Sequence, residues 1–180
     1  MTIPESPAAA PEAADGTVRA TVEIAATPEE VFEALTDPAQ LEEWWGTTES
    51  YRTSEWQLEP SAGGEWQVRT TAADGSEASV HGEYRVVDPP HTLEFTWAAS
   101  WDDFVESTVR FDLVPTVVRG VPGTRITVTH SAIAAVGIRA RMEASFAVRS
   151  SFDPAASFAL DWPRLLASFA LAMRERLVLA

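Results

Sequence analysis

The chain has 180 residues, 46% of them hydrophobic, and a formal net charge of −14. That length predicts one domain able to bury a core, and that charge argues against nucleic-acid and anionic-membrane partners, which need concentrated Lys and Arg. Cys, Lys and Asn are absent and all 13 basic residues are Arg, which excludes disulfides, thiol nucleophiles, thiolate metal sites and N-glycosylation.

Residues 1–16, MTIPESPAAAPEAADG, are acidic and Pro/Ala-rich, without the basic and apolar regions of a secretory signal. They read as a disordered tail, followed by a single domain over 17–180. The Arg-only basic set points to a GC-rich, bacterial genome. No apolar run approaches the ~18 residues that span a bilayer, so the expected location is cytoplasmic.

From Thr17, Val18, Ala20, Val22 and Ile24 alternate with Arg19, Thr21 and Glu23, the pattern of a half-buried strand. In ATPEEVFEAL, Thr27 is an N-cap, Pro28 stands at the first helical position, and Glu30 completes a capping box. Asp37-Pro38 starts a second short helix that Gly46 stops behind Trp44 and Trp45. Consecutive helical residues point about 100° apart. Leu41 and Trp45 form an i,i+4 pair, so Trp45 is expected to pack inward and Trp44 to lie half exposed at a rim.

Six further strands follow, each with period two. Their inward phases carry Trp56 and Leu58; Trp66, Val68 and Thr70; Val80, Gly82, Tyr84 and Val86; Leu93, Phe95 and Trp97; Ser107, Val109, Phe111 and Leu113; and Ile126, Val128 and His130. Asp74-Gly75 is a hairpin signal. One apolar and one polar face imply an antiparallel sheet covered on one side. The cover is the C-terminal segment DWPRLLASFALAMRERLVLA, in which Asp161 is a candidate cap. There Trp162, Leu165, Leu166, Phe169, Met173 and Leu177 recur at helical spacing, with Arg164, Arg174 and Arg176 opposite. Residues 132–158 mix helix and loop signals. The fold class is therefore α+β, a helix-grip. A curved antiparallel sheet wraps around a long C-terminal helix, with two short helices after the first strand.

ATPEEVFEALTDPAQLEEWWG, then GGEW, DG, GEYRVVDPPHTLEFTW and a late DWPRLLASF together resemble the Activator of Hsp90 ATPase homologue 1-like family of the START/Bet v1-like superfamily. The resemblance covers roughly residues 18–178. It implies the helix-grip fold with a cavity between sheet and long helix, where many members bind small apolar molecules. Some relatives are aromatase/cyclases, and the eukaryotic namesake binds Hsp90. The stretch 139–157 is longer and richer in Arg than the family's usual link into the last helix.

No nucleophile elbow, dinucleotide fingerprint, P-loop or HExxH motif is present. His81 falls on a polar phase and His91 in a turn, whereas His130 continues an apolar phase at a strand end. No three His sit at metal-ligand spacing, and no cofactor is expected. No pair of carboxylates shares the inward phase, so acid–base chemistry has little beyond Tyr84 and His130. The candidate ligand-binding residues are Trp45, Trp56, Trp66, Thr70, Tyr84, Phe95, Trp97, Ser107, Phe111, His130, Trp162, Leu166 and Phe169. The same aromatics serve equally as packed core, and the polar groups among them as partners of backbone or water. The leading function is binding of a small hydrophobic or aromatic molecule between sheet and C-terminal helix. The alternatives are a cyclase- or hydrolase-like enzyme using that cavity, and a chaperone partner or other protein-interaction module. A homodimer is left open.

Overall fold

The computed structural model describes residues 12–14, 17–46, 51–100, 104–132 and 162–179. Strands β1 (Glu12–Ala14) and β2 (Thr17–Ile24) precede helices α1 (Pro28–Thr36) and α2 (Pro38–Trp44). Then come β3 (Tyr51–Leu58), β4 (Glu65–Ala72), β5 (Glu77–Asp88) and β6 (Thr92–Ala99). The hairpin β7 (Ser107–Val118) and β8 (Val121–Ala132) follows, and α3 (Trp162–Leu179) ends the fold. The strands form one antiparallel sheet in the order β1-β2-β8-β7-β6-β5-β4-β3. Helix α3 packs on β2 and α2, while α1 reaches β7 and β8. This is the helix-grip arrangement that the alternation and the late amphipathic helix imply.

Local chemistry explains the short helices. The Thr27 hydroxyl accepts from the Glu30 N–H, and the Glu30 carboxylate accepts from the Thr27 N–H at 2.7 Å, a complete capping box. Asp37 ends α1 and caps α2, its carboxylate accepting from the Gln40 N–H at 2.9 Å. On α3, Leu165, Leu166, Phe169 and Met173 are buried, and Arg164, Arg174 and Arg176 are exposed. Arg176 reaches Glu43 at 3.0 Å, tying the end of α3 to α2.

Three details depart from the sequence expectation. Glu12–Ala14 pairs with β2 inside the stretch assigned to a tail. The rest of 1–16, Asp161 and the stretch 133–158 lie outside the described residues. In β3 the register shifts between Ser54 and Gln57, where Glu55 has φ 56°. This bulge moves the inward phase from Tyr51 and Thr53 to Trp56. In β5 a second shift between Tyr84 and Val86 puts Val87, rather than Val86, opposite Leu93 and against the core.

Candidate functional site

The inner face of the sheet, α1, α2 and α3 enclose a cluster of tryptophans. Trp45 is its hub. Its ring stacks on Trp97 at 5.8 Å, meets Trp56 and Trp162 edge-on at 5.6 and 5.7 Å, and touches Trp44 at 5.0 Å. The expectation that Trp44 lies at a rim is wrong. Trp44 is 1% exposed, donates its N–H to the Ala34 carbonyl at 3.1 Å, and packs edge-on against Phe169. The reason is geometric. Helix α2 is covered by both α1 and α3, and Trp45 is a cap residue with extended backbone, so the two rings do not follow one helical wheel.

Trp66 is placed by a gap in its neighbour's ladder. It faces Gly82 across β4 and β5, and its ring crosses that glycine to donate to the Thr96 carbonyl at 3.1 Å. A Cβ at Gly82 would sit 1.8 Å from that carbonyl oxygen and 2.5 Å from the Trp66 nitrogen. The Thr96 hydroxyl closes the gap by accepting from the Glu83 N–H at 3.0 Å.

Within the cluster lies a small, partly enclosed void. Its wall is Leu35, Leu41, Trp45, Trp56, Trp66, Tyr84, Leu93, Phe95 and Phe111. It leaves about 10 Å³ for the centre of a water-sized sphere, roughly the room of one water. Six of the expected site residues therefore share one wall: Trp45, Trp56, Trp66, Tyr84, Phe95 and Phe111. Leu35, Leu41 and Leu93 join them; their signal in the sequence was the apolar phase alone, which reads as core. The position corrects an expectation. Among the described residues none of α3 lines this void, which sits between the sheet and the two short helices. Trp45 stands between it and Trp162. Burial raises the Tyr84 phenol well above its ordinary pKa, so it stays neutral.

The other expected site residues are elsewhere. The Thr70 hydroxyl bonds the Ala78 carbonyl at 3.3 Å. Leu166 and Phe169 are core of α3. Trp97 and Trp162, which touch Trp45 from outside the void, join Ser107 and His130 in a hydrogen-bonded group. Ser107 Oγ and His130 Nε2 are 2.7 Å apart, and Trp162 donates its N–H to His130 Nδ1 at 3.2 Å. Indole nitrogen only donates. Nδ1 is therefore the acceptor, Nε2 carries the proton, and the ring is neutral. Burial agrees, holding the His130 pKa down at about 4. The Ser107 hydroxyl in turn donates a hydrogen bond to the Trp97 carbonyl at 3.3 Å. The distance suits a nucleophile and base, but the tautomer is reversed: His130 offers Ser107 a proton instead of taking one, where a catalytic triad places an acceptor at Nδ1. The group is a structural strut between α3, β7 and β8.

Two larger recesses of about 390 and 700 Å³ lie along β3 to β5, sharing Gln57, Gln67 and His81. Exposed ion pairs line the smaller one, with Arg69 between Glu55 and Glu77, at 3.1 and 3.2 Å. Such exposed pairs fix little. Among the described residues no three His, Asp or Glu gather as a metal site, and no helix is long and apolar enough to cross a membrane.

The family profile described as "Activator of Hsp90 ATPase homolog 1-like protein" matches residues 25–154. Among solved structures, the chain resembles a protein from Rhodobacter sphaeroides at 22% identity and TM-score 0.68, covering 91% of this chain and 96% of that one. A solution structure of a protein from Arthrobacter aurescens is similar at 16% identity and TM-score 0.72, with 93% and 92% covered. The AHSA1 protein from Silicibacter pomeroyi is similar at 24% identity and TM-score 0.63, with 89% and 99% covered. These likenesses show the fold. No curated protein matches the chain.

Proposed function

The chain belongs to the Activator of Hsp90 ATPase homolog 1-like family, and from that premise we propose that it binds a small apolar or aromatic molecule at the tryptophan-lined void. The observation that carries this reading is the wall itself: six aromatic side chains around a small interior space in a fold that commonly holds hydrophobic ligands. The void admits a ligand by displacement of a ring. Trp44, Trp66 and Trp162 are anchored through their N–H groups, whereas Trp45 and Trp56 have no such anchor among the described residues. Trp45 also adjoins Gly46, whose φ of 115° suits a swivel in the chain. Displacement of the Trp45 or the Trp56 ring opens the space between sheet and short helices.

Titration with fluorene, a flat uncharged hydrocarbon, tests this. Saturable quenching of tryptophan emission and a rise in Tm are expected. Emission and Tm that stay constant up to the solubility limit of fluorene would sink the reading.

A further inference from the structure

The β7–β8 hairpin outruns the sheet. Strand β6 pairs with β7 only as far as Asp112, with one more bond from the Leu113 N–H to the His91 carbonyl at 2.8 Å. Strand β2 pairs with β8 only from Thr124 onward. Beyond these limits the two strands stay paired to each other, up to Val118 opposite Val121. Arg119 and Gly120, at φ 51° and 84°, close them with the doubly left-handed turn of two-residue hairpin loops. Residues 113–124 thus stand out as a two-stranded ribbon.

Its chemistry differs from that of the surface around it. Of the five large hydrophobic side chains exposed among the described residues, three are here: Val114, Val117 and Val121. Residues 113–124 carry one charge, Arg119, and no acid, on a chain of net charge −14. Exposed apolar patches of this kind mark contact sites. Addition of a further strand is disfavoured. The Leu113 N–H points away from β8, so antiparallel alternation puts the nitrogens of Pro115 and Pro122 on the two free edges of the ribbon. Each proline withholds a donor that an added strand would use. Contact therefore falls to the faces. On the outer one Val118 leans over Gly123, with a methyl 2.7 Å from where a Cβ would stand. On the inner one, the side of the helices, Pro115, Val117 and Pro122 are all exposed, Val117 at 69%.

The two ends of the inner face identify its occupant. Arg119 stands at the tip. At the root the Thr124 hydroxyl donates to the Ala26 carbonyl at 2.7 Å, which sets the start of α1, with its exposed Glu29, beside the ribbon. Along its length the face runs negative, apolar, positive. A second copy laid antiparallel about a two-fold axis complements that pattern: prolines and valines meet at the centre, and each Arg119 meets the other copy's Glu29. We propose that the chain forms a homodimer through the inner face of this ribbon. Standard interfaces engage about 20–30 residues a side. The ribbon is shorter than that, so the dimer is reversible.

Sedimentation of the full chain from about 1 µM to about 500 µM should show a monomer–dimer equilibrium with a dissociation constant in the micromolar range. Val117→Asp puts a charge at the centre of the contact and should raise that constant roughly tenfold or more. Arg119→Glu and Glu29→Arg should each weaken the dimer, and the double variant should regain it, a rescue that a merely structural role for either residue would not give. If Val117→Asp fails to fold, the charge exchange decides alone. A wild type that stays monomeric throughout would overturn the proposal, as would a dimer indifferent to all three substitutions. Monomeric protein that floats with phosphatidylcholine vesicles would also overturn it and give the face to a membrane.

Discussion

The Trp162 indole N–H donates to His130 Nδ1 across 3.2 Å, and this bond ties the first turn of α3 to the end of β8. It also fixes the charge of His130. Protonating the ring would put a second proton where Trp162 already donates, so the fold binds the neutral form and the unfolded chain binds the proton more readily.

Stability should therefore depend on pH with a definite sign. His130 titrates near 6.5 when unfolded and at about 4 when folded. Its contribution is fully present above pH 6.5 and is lost as pH falls towards 4, on the order of 3 kcal/mol in all. His130→Gln can accept from Trp162 and donate to Ser107 without titrating. Urea midpoints measured from pH 7.5 to 4 should fall more steeply for the wild type than for this variant. Parallel curves would show that His130 is not held neutral.

Gly82→Ala should be disproportionately harmful for so small a change. The new Cβ would press on the Thr96 carbonyl and the Trp66 nitrogen together, breaking a hydrogen bond and moving a wall of the void. A loss of about 1–3 kcal/mol in chemical denaturation is expected, with the Trp66 indole resonance displaced. An unchanged midpoint would contradict the account of how Trp66 is placed.

Local signals made much of this fold legible in advance. The capping box at Thr27, the alternation of most strands and the buried positions Trp162, Leu165, Leu166, Phe169 and Met173 of α3 are each written within a dozen residues and appear as read. The inward phase also singled out His130 and Ser107, which do meet. What escaped depends on contacts distant in sequence. Trp44 is buried because Phe169 and Ala34 cover it, and a helical wheel for α2 contains neither. Val87 replaces Val86 at the core because one extra residue in β5 slips the register, and that bulge has no turn residue to announce it. The void lies under α1 and α2 because α3 packs its own Leu165, Leu166 and Phe169 flush against the interior. Packing density is a property of the assembled layers, and periodicity carries no record of it.

The central claim, that this interior receives a small molecule beside Trp45 and Trp56, is tested most directly by the indole N–H signals in nitrogen-15 NMR spectra of the protein titrated with fluorene. The signals of Trp45 and Trp56 are expected to shift saturably with added ligand. Those of Trp44 and Trp162, anchored to Ala34 and His130, should change little. Indole signals that all stay fixed to the solubility limit, or shifts confined to Trp44 and Trp162, would contradict it.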